Sequence, residues 1–274
     1  MSENNEFYGE LGQKALKIRK EIVSMIYRAS SGHPGGALSL ADILTVLYFK
    51  EMNIDSLNPK KEDRDRLVLS KGHASAALYA TLAERGFFSE DELQGFRKLD
   101  CILQGHPDMN HIPGVDMSTG SLGQGLSAAN GMAIAGKLDK KDYRVYCILG
   151  DGEIEEGQVW EAAMTSSKYK LDNLCIIVDN NNLQIDGTID KVMSPYPIDK
   201  KFEEFGFHVI NIDGHDFNQI INAFEQARNV KDKPTAIVAK TVKGKGVSFM
   251  ENQAGWHGKA PNEEQFQIAI KELI

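Results

Sequence analysis

Cysteine, blocks of basic charge and long apolar runs are all scarce in this chain, and each scarcity narrows what it can be. Three cysteines occur among 274 residues, Cys101, Cys147 and Cys175. They share no metal-ligand spacing, and two lie inside apolar, strand-like runs as small hydrophobes, which suits a reducing cytoplasm. Lys and Arg never form a block longer than a pair, and the formal net charge is −8. The sequence-independent attraction to a phosphate backbone is therefore missing, and no nucleic-acid partner is expected. No stretch approaches the roughly 18 apolar residues of a membrane span. The opening MSENNEFYGE is polar and acidic where a secretory signal is basic and then apolar. The expectation is a soluble, cytoplasmic protein with no membrane partner. Two common phosphate-binding devices are also absent: there is no GxxxxGK[ST], and no GxGxxG opens a helix after a strand. Repeats, low-complexity tracts and Pro/Gly/Ser linkers are missing too, which predicts a single domain over 1–274 with residues 1–10 frayed.

What remains is an ordinary globular composition, 42% hydrophobic and 26% charged. Leu11, Ala15, Ile18, Ile22, Val23, Ile26 and Ala29 recur at helical spacing and stop at Ser30-Ser31-Gly32, predicting a long amphipathic helix. A second helix is expected from about Leu40 to Met52, with Ser39 as its N-cap and Asp42 three residues on. Leu67-Val68-Leu69 reads as a short strand entering a Gly-His loop, with a helix over 74–85 behind it. From Tyr143 the rhythm is RVYCILG, a helix to about Lys168, LCIIVD, then FHVINID, a helix near 217–227, and TAIVAKT, with a closing helix over 263–274. Near-continuous apolar strands separated by helices indicate an α/β fold, a parallel sheet with helices on both faces.

In such sheets ligands bind outside the carboxyl ends of the strands. Asp151, in LGDGEIEEG, lies at one such end, and Asn181 follows thirty positions later at the next. One helical crossover separates them, so the two side chains face one crevice. A carboxylate, an amide oxygen and a backbone carbonyl near Leu183 make a hard oxygen set suited to Mg²⁺ or Ca²⁺, completed by a phosphorylated ligand. Read alone, Gly150-Asp151-Gly152 is as well explained by a helix cap and the Asn run by a turn. The segment GSLGQG at 120–125 brings backbone close to a ligand or a neighbouring helix, and packing is the simpler reading. Four of the seven histidines follow glycine (His33, His73, His106 and His215), and His257 lies in GWHGK. Imidazoles on such loops can move protons near neutral pH. His111, His208 and His215, the last framed by Asp213 and Asp216, are read as structural. Lys243 and Lys245, in TVKGKGV, either neutralise a diphosphate or form a solvated basic loop.

Taken in order, SGHPGG, SKGHAS, GHPD, STGSLGQG, GDGEIEEG, VDNNNLQIDG, DGHD and GWHG resemble transketolase, from about Leu11 to Pro261. Gly150-Asp151-Gly152 with Asn180-Asn181 is similar to the thiamine-diphosphate motif. The resemblance covers only the diphosphate-binding domain. No residue matches the glutamate with which the family's pyrimidine-binding domain activates the cofactor. It therefore implies the N-terminal subunit of a split transketolase, inactive alone, whose partner is a C-terminal subunit carrying the pyrimidine-binding domain, two copies of each forming the assembly. The activity implied is transfer of a two-carbon ketol unit from a ketose phosphate of the xylulose 5-phosphate type to an aldose phosphate.

Residue by residue, the resemblance implies that Asp151, Asn181 and the carbonyl of Leu183 hold Mg²⁺, or Ca²⁺ in its place. Gly152, His73, Lys243 and His257 would meet the diphosphate, with Lys71 close by. Gly120, Ser121 and Leu122 would contact the aminopyrimidine, and Glu156 would sit at the protomer interface. His33 and His257 would exchange protons with substrate oxygens, while His73 and His106 would bind the ketol hydroxyls. Glu153 and Glu155 are read as first-turn acids favoured by the helix dipole. Ser121 and Lys71 look like the animal-type branch, and Gly36 stands where that branch can offer a serine to the cofactor. Competing readings are a split transferase acting on a sulfonated or branched sugar, a non-catalytic thiamine-diphosphate-binding subunit, and a chain like deoxyxylulose-phosphate synthase.

Overall fold

The computed structural model describes residues 3 to 274, with side chains from Tyr8 onward. The expected frayed start includes Met1 and Ser2, which lie outside the described residues, whereas the backbone is helical from Glu3. Helix α1 (Glu3–Ala29) buries the stripe its spacing predicts, Leu11, Ala15, Ile18, Ile22, Val23 and Ile26. It ends where Ser30 turns left-handed, at φ 49°. Pro34, with no N–H to leave unpaired, then opens the short helix α2 (Pro34–Leu38).

The second predicted helix differs from expectation. Helix α3 (Ala41–Val46) passes into a π turn at Leu47–Glu51, and Ser39 is the C-cap of α2 and not the N-cap of α3, whose N-cap position is Leu40. The Ser39 hydroxyl instead donates to the Gly36 carbonyl at 3.1 Å and to Asp179 at 2.7 Å, because it is buried next to a carboxylate from the far side of the sheet sequence. Asp42 does not belong to a cap either: it lies between Arg19 and His215.

Strand β1 (Arg66–Leu69) leads through a 3₁₀ turn into α4 (Ser75–Arg85), which Gly86 closes at φ 85°. There follow α5 (Gly125–Leu138), β2 (Val145–Gly150), α6 (Gly157–Lys168) and β3 (Leu174–Asn180). A small antiparallel pair, β4 (Leu183–Gln184) and β5 (Gly187–Thr188), then precedes the short helices α7 (Ile189–Val192) and α8 (Ile198–Glu204). The chain continues through β6 (His208–Asp213), α9 (Phe217–Asn229), β7 (Thr235–Lys240) and α10 (Glu263–Glu272).

Five strands form one parallel sheet in the order β1-β2-β3-β7-β6. The register places Leu69, Ile148, Ile177, Ile237 and Ile210 in one row across it. Alternate residues of each strand therefore enter two different cores. Leu69, Ile148 and Ile177 pack with α1, α3, α4, α9 and α10 on one face, while Val68, Cys147 and Ile176 pack with α5, α6 and α8 on the other. Helices cover both faces, as the unbroken apolar strands predict. Cys147 and Cys175 are buried and unpaired, as expected of small hydrophobes. Among the described residues no helix is long and apolar enough to cross a membrane.

The crossovers explain where a crevice opens. β2 to β3 runs through α6, and β3 to β6 through α8, on the same face. The return from β6 to β7 runs in the opposite direction along the sheet and carries α9 on the other face, as right-handed connections require. Chain leaving β3 and chain leaving β7 diverge to opposite sides, and a gap opens at their carboxyl ends.

Candidate active site at the carboxyl ends of the strands

Four strand ends deliver the polar residues. β1 ends in Ser70-Lys71-Gly72-His73, β2 in Gly150-Asp151-Gly152, β3 in Asp179-Asn180-Asn181, and β7 runs into Thr241-Val242-Lys243. Beneath the crevice, Asp179 is fully buried and gathers three of these ends. It pairs with the Lys71 ammonium and accepts from the hydroxyls of Ser39 and Thr241 and from the Asn181 amide at 3.1 Å. Burial alone would push its pKa up, but Lys71 and these hydrogen bonds outweigh burial and hold it below the usual carboxylate range. Lys71 also donates to the Gly36 carbonyl at 3.0 Å, which ties α2 to the same point.

Glu153 is a second buried organiser: it opens a one-turn 3₁₀ helix (Glu153–Glu155), as expected of a first-turn acid, but its carboxylate serves the surrounding loops and not the dipole of α6, which begins at Gly157. Its carboxylate accepts from the Ser70 hydroxyl and, at 3.0 Å each, from the backbone N–H groups of Gly123 and Gly150. Its place beneath the loops, not at an exposed helix start, keeps it only 3% exposed, and burial raises its pKa despite those bonds. Glu155 instead accepts from the Gln184 side chain at 2.9 Å. Glu156, exposed, forms the N-cap position of α6 without a side-chain cap, its Cβ facing Gly123.

Above this floor lies a cavity of about 100 Å³ lined by Lys71, His73, Asp151, Gly152, Asn181, Leu183, Lys243 and His257, with Gly36, Leu122, Gln184 and Ile185. The three oxygen donors expected around a cation thus open onto one space. Asp151 is 2% exposed; one carboxylate oxygen accepts from Gly152 N–H at 2.9 Å and the other from Asn182 N–H. Burial, then the neighbouring Asp179, raises its pKa to about 7, the mark of a buried carboxylate short of positive charge. Against the Leu183 carbonyl, 3.1 Å away, stands the Lys243 ammonium, whose own pKa burial and then Lys71 lower to about 8. A cation already sits at one of the three donors and an acid lacking one sits at another. Among the described residues no group of three His, Cys, Asp or Glu side chains could hold a metal ion. A metal here would use one carboxylate, one amide and one carbonyl, and this hard oxygen set fits Mg²⁺ or Ca²⁺.

Three imidazoles converge at the cavity mouth. The rings of His33, His73 and His257 form a triangle with centroid separations of 5.2, 5.4 and 5.1 Å. His257 Nδ1 lies 2.9 Å from the Lys243 ammonium and so accepts a hydrogen bond from it. Burial first, then Lys243, lowers the His257 pKa to about 3; burial, then Arg97, lowers that of His33 to about 4. Burial and Lys71 likewise push His73 well below its ordinary value. All three rings are neutral at pH 7, each with one N–H to donate and one lone pair to accept. His106 stands apart, exposed, with its ring against Gly120, where a Cβ would meet it at 2.9 Å. Gly120 (φ 143°) and the exposed Ser121 lie outside the cavity lining, whereas Leu122, 41% exposed, reaches it.

The histidines read as structural are so placed. The His215 ring bridges Asp42, at 2.7 Å, and the Val242 N–H, at 2.9 Å, while its backbone N–H donates to Asp213 at 2.9 Å. His111 pairs with Asp108, and His208 begins β6. Asp179 and Glu153 are the organisers that sequence reasoning missed, though a signal existed: each is an acid within a few residues of the end of a wholly apolar strand. Lys245 pairs loosely with Glu251 at 3.8 Å and stays out of the cavity.

Residues 13–273 match the sequence model of the transketolase family's thiamine diphosphate binding domain. The chain is 44% identical to one subunit of an apulose-4-phosphate transketolase of Phocaeicola vulgatus, over 94% of this chain and 91% of that one. It is also 44% identical to a 6-deoxy-6-sulfo-D-fructose transketolase subunit of a Clostridium species, over 96% of both. Human transketolase is 45% identical over 96% of this chain, which spans 42% of the human protein's length. Among solved structures, Campylobacter jejuni transketolase superposes with a TM-score of 0.90 at 38% identity, and this chain spans 42% of it. By sequence and by fold, the chain belongs to the transketolase family, as its thiamine-diphosphate-binding domain.

Proposed function

We propose that this chain is the diphosphate-binding, N-terminal subunit of a two-subunit transketolase, acting in the cytoplasm as one domain over its whole length. With a C-terminal subunit that supplies the pyrimidine-binding domain, in an assembly of two copies of each, it transfers a two-carbon ketol unit between sugar phosphates. The observation that carries this reading is the stacking of two charge environments. Below are the oxygens of Asp151, Asn181 and Leu183 with Lys71 and Lys243; above is the neutral triangle of His33, His73 and His257. The first suits a metal diphosphate, the second the uncharged, hydroxyl-bearing ketol end of a sugar phosphate, where protons must be gained and lost.

Thiamine diphosphate, when bound, supplies the electron sink for breaking the carbon–carbon bond beside a ketose carbonyl. Asp151, Asn181 and the Leu183 carbonyl would hold Mg²⁺, and Gly152, His73, Lys243 and His257 would grip the diphosphate. Lysine is a point charge with three donors, so Lys243 can leave the Leu183 carbonyl for a phosphate oxygen without leaving the cavity. Gly120, Ser121 and Leu122 would receive the aminopyrimidine, and Glu156, exposed at the start of α6, would face a neighbouring subunit. His33 and His257 would take and return protons at the substrate hydroxyl and carbonyl, a role their neutrality suits. His73 and His106 would bind the hydroxyls of the ketol unit.

The proposed donor is a ketose phosphate of the xylulose 5-phosphate type, with an aldose phosphate as acceptor. A second reading, a sulfonated or branched sugar, is favoured by one observation. Subunit-sized relatives are named for apulose-4-phosphate and 6-deoxy-6-sulfo-D-fructose, while full-length human transketolase is no less similar. Mixing the chain with a candidate C-terminal subunit, thiamine diphosphate and Mg²⁺, and offering each ketose in turn, separates these readings. Aldose release from xylulose 5-phosphate is the expected result. Release only from a sulfo-ketose or branched ketose would move the substrate and leave the reaction class standing, and release from none would remove both.

A further inference from the structure

Arg97 belongs to none of the motifs above, yet its side chain lies between two of the proposed substrate histidines. Its Nη1 donates to the Ser31 hydroxyl at 3.2 Å, two residues before His33. The same guanidinium lies flat against Gly105, where an added Cβ would come within 2.9 Å of Cζ, one residue before His106. Gly105 is thus a glycine because an arginine occupies the space a side chain would need. The backbone of Arg97 is itself left-handed, at φ 62°, an unfavoured conformation for a residue with a Cβ, held by its N–H bond to the Leu103 carbonyl at 2.8 Å. Its Nε is buried and donates to nothing. An unspent buried donor and a strained backbone are both unfavourable, and both are features that collect where a site over-determines its surroundings.

We infer that Arg97 is a positioning residue for the sugar substrate, clamping the loop that carries His33 to the loop that carries His106 so that the two imidazoles face one ketose at a fixed separation. This rests on the ketol-transfer reading above. The segments are far apart in sequence, and among the described residues no hydrogen bond joins His33 to His106, so the guanidinium fork supplies the span. Lysine could keep the charge but not contact both loops at once. The electrostatic setting agrees: after burial, Arg97 is the next cause of the lowered pKa of both rings. The other groups facing His33 are His106, Lys243, His73 and His257, while the charged neighbour acting on His106 among the described residues is Arg97.

Two readouts test this. In the chain alone, carbon-labelled histidine followed by NMR through a pH titration should show the midpoints of His33 and His106 rising in Arg97→Gln. Arg97→Lys should leave both midpoints near their original values. In the reconstituted pair, Arg97→Gln and Arg97→Lys should both raise the ketose KM, by roughly 10- to 100-fold, while the dissociation constant for thiamine diphosphate stays the same. If Arg97→Gln does not fold, Ser31→Ala, which removes one arm of the clamp, should still raise KM measurably. An active pair whose ketose KM is unchanged in the variants overturns the inference, as do unmoved midpoints for both histidines. A wild-type pair inactive on every ketose removes the ketol-transfer reading instead, and the histidine titration then decides the clamp alone.

Discussion

Single residues in this chain do work that depends on what surrounds them, and Asp151 is the clearest case. Its burial beside Asp179 leaves it short of a positive neighbour, so replacing it should remove a binding partner and leave the fold standing. Asp151→Ala is expected to abolish the calorimetric heat of thiamine diphosphate binding in the presence of Mg²⁺ while thermal melting is retained. Binding at wild-type strength would contradict the metal assignment. Asp42 is the opposite kind of acid. Burial would raise its pKa, but hydrogen bonds from His215 and Arg19 outweigh this and lower it. A depressed folded pKa contributes stability that is present above the unfolded value, near 3.9, and is lost as pH falls through the folded one. Asp42→Asn leaves the Arg19 guanidinium buried without its carboxylate and should cost roughly 3–5 kcal/mol near neutral pH. Urea midpoints of wild type and variant should converge as the pH drops through the acid range, and a gap that stays constant would show that the charge of Asp42 is not what stabilises the fold.

At the scale of elements, glycines in one helix give a matched pair of tests. A Cβ on Gly125, at the start of α5, would lie 2.4 Å from Ser70 Oγ and 2.8 Å from its Cα, forcing α5 away from the loop that carries Lys71. Gly131, on the exposed face of the same helix, has nothing within 4 Å. Gly125→Ala should therefore lower stability by about 1–3 kcal/mol, and Gly131→Ala should raise it by about 0.5–1 kcal/mol. Chemical denaturation of both variants checks the pair, and equal effects would mean that the close packing of α5 on β1 is not felt. The same contrast explains what was legible beforehand. The inner strands β2 and β3 could be read because burial on both faces leaves runs such as VYCIL and LCIIV without polar interruptions, whereas β6, half-buried at the sheet edge, could be read despite its polar positions. The two-residue strands β4 and β5 and the short helices α7 and α8 could not, since neither is long enough to show a period. The π turn after Val46 was invisible because apolar spacing simply continues through it. In the site, Asp151, Asn181 and the histidines were found from strand ends and flanking glycines. Asp179 and Glu153 were not, since their partners Lys71 and Ser70 lie 108 and 83 positions away and only the folded sheet brings them together.

The molecule as a whole presents a cavity open at one end of a parallel sheet, with its acidic floor and neutral imidazole rim both formed by this chain. What it does not present is a side chain placed by the resemblance to activate the aminopyrimidine. Catalysis is for this reason proposed as a property of the assembly, and cofactor recognition as a property of this chain. The measurement that tests this most directly is ketol transfer assayed three ways, with thiamine diphosphate and Mg²⁺ present throughout: this chain by itself, the C-terminal subunit by itself, and the two mixed. The account predicts no aldose release from xylulose 5-phosphate by either chain in isolation, and release by the mixture that is lost when Asp151→Ala replaces the wild-type chain. Turnover by this chain in isolation, or by a mixture indifferent to Asp151, would contradict it.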